Sequence, residues 1–362
     1  MNEPIVDLEA LRSGDLDAAD SGRSEGKVLR DALGELGLVY VRNHGIDQAQ
    51  LERFYDAWVA LTERPLEEKE SWSGRDIWFQ RGWTPPNTEQ AVVAGGQPDV
   101  KECYFAAPIP IDPRARMLFP EICADNRWPA NADAFRDDYL KLGAQVHEVG
   151  MALLRACALA LDLPAETFEQ ATQGAPHVTR ALRYLALDAS QVDTDVLWGE
   201  EHTDFNLITL LPGGCFYDPT GARCERPDPE SGLYLRTRPS REHPKGRMVH
   251  GKPPAGCLVA QVGQQLEILT GGTYLATPHV IKPPKQAGYT RTAMAHFIHV
   301  HSEQKLFPLE PFVNEETIRA YGPPVLAGTY GLKTLVDIGL APQTALRKLG
   351  YRHYDRLAEA RT

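Results

Sequence analysis

From Pro176 onward the chain breaks into short β-rich runs parted by turn residues, and this pattern constrains the fold more than any other feature of the sequence. The runs cover 178–187, 202–211, 232–237, 257–262, 274–280 and 290–299. Short strands at such spacing are the signature of a β-sandwich or barrel. Two interruptions are long: an insert between Pro212 and Glu230, expected to shape a pocket or its lid, and a polar, basic loop between Pro239 and Pro254.

The preceding residues read differently. Val28, Leu29, Leu33 and Leu36 recur at helical spacing over 24–36, and Gly37 supplies a stop before the β-rich Leu38-Val39-Tyr40-Val41. A second helix is expected over 48–62, a long one over 133–161 and a short one over 165–173. Between Trp72 and about Pro120 the chain is rich in Pro, Gly (including Gly95-Gly96-Gln97-Pro98) and aromatic residues, which in a compact protein suggests an ordered binding loop. Trp78, Phe79, Trp83, Tyr104 and Phe105, with Phe297 from the last β run, are its candidates for lining a pocket. The stretch 307–341 reads as mostly irregular with a short helix at 314–320, and a final helix is expected over 344–360. The expected organisation is a mixed α+β chain without an interdomain linker: an N-terminal α/β region over 1–120, a helical segment and β core over 121–305, and a C-terminal extension over 306–362.

A length of 362 residues with 43% hydrophobic content is enough to bury a sizeable core. The balance of 38 basic against 49 acidic residues, a net charge of −11, argues against nucleic acid or an anionic membrane as partner. No run approaches the roughly 18 to 20 apolar residues of a membrane span, and the N-terminus lacks the features of a secretory signal. The expectation is a cytoplasmic protein with a small-molecule partner, monomeric in preference to oligomeric. Six cysteines without Cys-x-x-Cys spacing suggest reduced thiols and no zinc knuckle.

The chemistry concentrates in His202-Thr203-Asp204 and the distant His279. Residues two apart on a strand share a face, so one strand can offer His202 and Asp204 to a single metal, and a neighbouring or facing strand of a closed sheet can add His279. Two imidazoles and one carboxylate on one face of an octahedron leave the other face open, as in non-haem Fe(II) oxygenases. A zinc hydrolase could use the same donors, but no general base stands at a motif position. The same parity places Tyr289, Arg291, Ala293, Ala295 and Phe297 together. An arginine on an inward face implies a bound carboxylate or a buried acidic partner. His44, His147, His296, His299 and His301 lack ligand spacing and read as packing or surface residues, and Glu200 and Glu201 fall outside the His-x-Asp spacing.

On these motifs the chain resembles the isopenicillin N synthase-like Fe(II)- and 2-oxoglutarate-dependent oxygenases. The resemblance is carried by Gly37-Leu38-Val39-Tyr40-Val41-Arg42-Asn43-His44-Gly45-Ile46, by His202-Thr203-Asp204-Phe205 with the strand after it, and by Pro253-Pro254-Ala255-Gly256 through Gly271-Gly272 to His279. It implies a double-stranded β-helix, or jelly roll, in which His202, Asp204 and His279 hold Fe(II). It further implies that Arg291 grips 2-oxoglutarate, and that O2 is consumed in oxidising a C–H bond of a small metabolite, with hydroxylation as the default and succinate and CO2 released. Two positions depart from the family: Ala293 replaces the serine of its Arg-x-Ser motif, and an Asn-x-Tyr pair is missing if Leu185 and Leu187 are the inward residues of the first core strand. Tyr289 is then the expected substitute partner for the cosubstrate. Two competing readings follow, a 2-oxoglutarate-independent oxidase or cyclase of the isopenicillin N synthase type, and a non-catalytic binding protein that kept the metal box.

Overall fold

The computed structural model describes residues 3–13, 24–88, 99–192, 194–239 and 241–349. Gly95-Gly96-Gln97-Pro98 and most of the expected final helix over 344–360 lie outside these residues; Gln343–Leu349 forms a 3-10 helix.

The strands that build the site are, in the first half of the chain, β1 (Ile5–Asp7), β2 (Leu38–Arg42), β3 (Gly82–Thr84), β4 (Lys101–Ala106) and β5 (Val178–Tyr184). In the second half they are β6 (Gly199–His202), β7 (Ile208–Leu211), β8 (Gly214–Tyr217), β9 (Arg223–Cys224) and β10 (Gly232–Arg236). The set is completed by β11 (Met248–His250), β12 (Leu258–Val262), β13 (His279–Lys282) and β14 (Thr290–Ile298). A large sheet runs β1-β2-β12-β7-β14-β5-β4-β3, with β8 bonded to β14 and carrying β9; a smaller one runs β11-β10-β13-β6. Residues of both sheets line one cavity between them, which makes the core a jelly roll.

Apart from the final one, the expected helices form where the pattern places them. Gln48–Thr62 is capped by Asp47, which accepts from the Ala49 amide at 3.0 Å, and it buries Leu51, Phe54, Tyr55, Trp58 and Leu61. Asp133–Leu159 buries Phe135, Tyr139, Leu142, Val146, Val149, Leu153 and Cys157, each large side chain contributing about 1.5–3 kcal/mol on burial. This helix lies so close to the large sheet that a Cβ on Gly150 would stand 2.3 Å from Ile298 Cδ1. Its stripe and the Phe54 and Trp58 rings belong to one apolar core that continues from Val6 to Ala327.

Four expectations change. The 202–211 run is not one strand; it divides into β6 of the small sheet and β7 of the large one. The 212–230 insert shapes a pocket, as expected, but as a hairpin and not a lid: β8 and β9 are hydrogen-bonded to each other and β8 to β14, with Phe216 opposite Arg291 and with Gly213 and Arg226 lining the cavity between the sheets. Within the loop region after Trp72, β4 pairs along its whole length with β5. The stretch read as irregular contains the helix Ala327–Asp337, whose Leu332, Leu335 and Val336 are buried. Gly328, Thr329, Tyr330 and Gly331 disfavour an isolated helix, and tertiary packing overrides that propensity.

Candidate active site

β6 ends at His202, and His202 is the register partner of His279 on the antiparallel β13. Their rings lie 4.3 Å apart between centroids. Beyond His202 the backbone leaves the small sheet and joins the large one at Ile208, so Asp204 sits at the crossover, not on the strand face that parity alone suggested. The crossover is held at several points. The Gln264 amide donates to Asp204 O at 2.8 Å, the Gln265 amide to Asn206 O at 3.0 Å, and Asn206 Nδ2 to Ile208 O at 2.7 Å. One potential ligand atom from each of His202, Asp204 and His279 falls within 4.8 Å of the others, and no other such cluster occurs among the described residues.

The surroundings orient these atoms. Asp204 Oδ2 accepts from Thr209 Oγ1 at 2.6 Å, which leaves Oδ1 facing His202 Nε2 at 3.6 Å and His279 Nε2 at 3.9 Å. His202 Nδ1 lies 2.7 Å from the Glu200 carbonyl, which fixes its proton on that nitrogen and frees Nε2. Burial alone would raise the Asp204 pKa, but the nearby His279 and His202 and the Thr209 hydroxyl hold the carboxyl below its usual value. Burial and the neighbouring His202 push the His279 imidazole down, against the pull of Asp204. An ionised carboxylate beside a neutral imidazole is the protonation state a divalent metal requires. The donor set therefore fits iron, with the side chain of His202 41% exposed and those of Asp204 and His279 at 10% and 8%.

A cavity of about 120 Å³ runs from these three residues to Arg291. Arg291 stands opposite Tyr184 on β5, and its guanidinium lies 5.6 Å from the Tyr184 ring and 5.8 Å from that of Phe216. Among the described residues no carboxylate pairs with it, so the acidic-partner explanation for an inward arginine falls away and a bound carboxylate is left. Arg226 lines the same cavity, its guanidinium depressed by burial and then by repulsion from Arg291. The space is built for a small anion.

The structure corrects two sequence expectations here. The inward residues of β5 are Arg180, Leu182 and Tyr184, so Leu185 and Leu187 are not the pair that faces the cosubstrate position. Tyr289 is half-buried just before β14 and is not among the residues lining the cavity; Tyr184 supplies the aromatic hydroxyl at this wall. Counting the β5–β14 register back from Arg291 would have found it, since Leu182-Arg183-Tyr184 keeps the tyrosine of an Asn-x-Tyr pair and replaces only the amide. Ala293 and Ala295 follow Arg291 on the same wall, so no hydroxyl stands at the Ala293 position. Gln261 and Thr209, which reach His279 and Asp204, carried no signal in the sequence.

A larger cavity of about 530 Å³ opens over His202 and Asp204. Of the aromatic candidates, Phe105 and Phe297 line it, joined by Phe205 and by the helix Ala327–Asp337 through Ala327, Gly331 and Leu335. Trp83 and Tyr104 are core residues packed against Trp72.

Comparison with known proteins agrees with this geometry. Residues 4–131 match a family model described as the non-haem dioxygenase in morphine synthesis N-terminal region, and residues 178–300 match the 2OG-Fe(II) oxygenase superfamily. Homoarginine-6-hydroxylase 2-ODD-233 of Oryza sativa subsp. japonica is 27% identical over 331 residues, covering 87% of this chain and 90% of that protein. The crystal structure of a 2OG-Fe(II) oxygenase family protein from Caulobacter crescentus superposes with a TM-score of 0.72 at 25% identity, over 93% of this chain and 99% of that one. A full-length Neurospora crassa protein, solved in complex with alpha-KG and thymine, has the same fold at 19% identity, with a TM-score of 0.71 over 92% and 96% of the two chains.

Proposed function

This chain belongs to the 2OG-Fe(II) oxygenase superfamily, and on that premise we propose that it hydroxylates an unactivated C–H bond of a small organic metabolite. His202, Asp204 and His279 hold the iron, and Arg291 receives the distal carboxylate of 2-oxoglutarate. The observation that carries this reading is the single cavity joining the three candidate ligands to an arginine without an acidic partner among the described residues. When bound, iron supplies the oxidising chemistry, with O2 and 2-oxoglutarate consumed and succinate and CO2 released.

The protein's own residues do the positioning. Thr209 restrains Asp204 by one oxygen, and the Glu200 carbonyl sets the His202 tautomer. Arg291 and Tyr184 define the distal end of the cosubstrate cavity, where a bidentate arginine–carboxylate contact is the stronger element and makes the hydroxyl absent at Ala293 dispensable. Phe105, Phe205 and Phe297 give the larger cavity above the metal position an apolar wall against which the body of a substrate can pack. A small-molecule substrate is supported by the size of that cavity, about 530 Å³, and by the homoarginine and thymine named for two relatives.

The test is succinate formation by the Fe(II)-loaded protein with a metabolite library, scored against O2 and 2-oxoglutarate. Asp204→Ala should lower it at least about 100-fold. O2 uptake without succinate, or turnover independent of 2-oxoglutarate, would replace this reading with the isopenicillin N synthase type of oxidase.

A further inference from the structure

The wall of the larger cavity carries a cation that the proposed reaction does not use. Arg81 lines that cavity, yet the residue is only 1% exposed. Its Nη1 donates to the Gln80 carbonyl at 2.5 Å, while Nε and Nη2 are buried with no hydrogen-bond partner. Among the described residues no carboxylate pairs with it. The acids on the same wall are committed elsewhere: Asp99 to Lys101, Glu201 to Arg236 at 2.7 Å, and Asp204 to Thr209 and the two imidazoles. Glu200 is likewise engaged. The Cys123 thiol, whose position also bears on Arg81, is pushed up to about 11 by burial and stays neutral, and Asp125, the carboxylate whose charge reaches Arg81, is paired with Arg116. Burial draws the guanidinium down from 12.5 to about 10, which still leaves it charged at neutral pH. A buried, uncompensated cation is costly, and a fold keeps one where a ligand completes it.

The backbone fixes Arg81 in place. Trp78 and Phe79 both have left-handed backbones, with φ of 55° and 58°, and the Phe79 amide donates to Gly74 O at 2.7 Å. Gly82 follows with φ of 79°, and a Cβ there would meet the Trp72 carbonyl oxygen at 2.1 Å. Two residues in left-handed backbone and a glycine that no other residue can replace fix the backbone on either side of Arg81, and the Gln80 carbonyl holds its guanidinium. Phe105, Ile122, Val178, Phe205, Phe297 and Leu335 give the cavity an apolar wall, and its other two cations are engaged, Lys101 with Asp99 and Arg180 over the Phe105 ring. His299, which feels the charges of both Arg81 and Asp204, is kept neutral by burial and so remains a polar but uncharged part of the wall.

We propose that Arg81 anchors a carboxylate of the substrate, so that the molecule oxidised is a small organic acid with an apolar body. The inference rests on the reading that this cavity receives the substrate of an Fe(II)- and 2-oxoglutarate-dependent oxygenase. Arg81 then acts as a specificity-determining residue: a buried guanidinium left unpaired by a neutral analogue rejects it, as buried polar sites reject ligands lacking the matching group.

The test is anaerobic calorimetric titration of the protein loaded with Fe(II) and saturating 2-oxoglutarate. The probes are phenylacetate, cyclohexylacetate and hexanoate, each beside its primary amide. At least one acid should bind wild type about tenfold or more tightly than its amide. Arg81→Met should reduce that preference to about threefold or less, and Arg81→Lys should keep part of it. Removing an unpaired buried cation should also leave the unliganded Arg81→Met protein melting no lower than wild type. Equal binding of acid and amide, no binding of any acid, or a preference that survives in Arg81→Met overturns the inference, as does a much lower melting temperature for that variant. Succinate formation by wild type is scored separately, so its absence sinks the oxygenase reading while an absent acid preference sinks only the anchor.

Discussion

Gln261 shows how far the site is built by single side chains away from the ligands. Its amide nitrogen lies 2.6 Å from His279 Nδ1, and its Oε1 is buried without a partner. Ligation through Nε2 requires the proton on Nδ1, and an amide turned end for end offers Oε1 to that proton. Gln261 thereby sets the tautomer of the most buried ligand, as Glu200 does for His202 through its carbonyl. Gln261→Leu should weaken metal binding about 10- to 100-fold, while Gln261→Glu, which can also accept from Nδ1–H, should recover most of the loss. Anaerobic Fe(II) titration of the three proteins checks this, and equal affinity in wild type and Gln261→Leu would remove Gln261 from the machinery.

At the level of elements, the helix Ala327–Asp337 closes one side of the substrate cavity with two glycines in very different surroundings. A Cβ at Gly331 would meet only Phe205 Cε2 at an ordinary 3.6 Å, whereas one at Gly328 would lie 2.3 Å from the Phe119 ring. Gly331→Ala should therefore stabilise the protein by roughly 0.5–1 kcal/mol, the usual gain for alanine over glycine in a helix. Gly328→Ala should destabilise it by about 1–3 kcal/mol through overpacking. Denaturant midpoints measure both, and shifts of the same sign would refute the packing described for this helix. Neither this element nor the break between His202 and Ile208 was legible in the sequence. The helix is carried by Leu332, Leu335 and Val336, which cluster with Ala341 and Ala345 just beyond it and with Trp78 and Ile122 far away in the chain, and the break by hydrogen bonds from Gln264 and Gln265. What could be read was local or periodic: the helix Gln48–Thr62 with its aspartate cap, the stripe of Asp133–Leu159, and the β run around Arg291, whereas the run expected over 274–280 becomes a strand only from His279 onward. Strand parity worked for Arg291 and Ala293 but misassigned β5 by one residue, because a parity argument is only as good as the register that anchors it.

Across the whole molecule, a group of buried histidines holds the long helix to the sheet. His147 Nδ1 lies 3.1 Å from His296 Nε2, whose other nitrogen lies 2.9 Å from Thr179 Oγ1, and His177 receives the His299 amide at 3.2 Å. All four are buried. Burial lowers His147 to about 4 and His299 to about 3, the latter with help from Arg81, and it holds His177 and His296 well below their ordinary value, with neighbouring histidines adding to the effect. An unfolded histidine takes up its proton near 6.5. From there down to the folded values, the unfolded chain binds protons that the native protein refuses. Stability is thus fully present above about pH 6.5 and is lost as pH falls, at up to about 1.4 kcal/mol per pH unit for each histidine. Depressed carboxylates such as Asp7 and Asp76 begin to add to the loss only below about pH 4, their ordinary range. The loss between pH 6.5 and 5 should therefore track the buried histidines. Urea unfolding of the metal-free protein should give a constant midpoint between pH 8 and 7 and a steep decline between 6.5 and 5. His296→Asn, with one fewer group to protonate on unfolding, should show a shallower decline from a lower starting stability. A midpoint that stays flat down to pH 5 would mean that these imidazoles are hydrated in the native state, and the packing between Asp133–Leu159 and β14 would have to be redrawn.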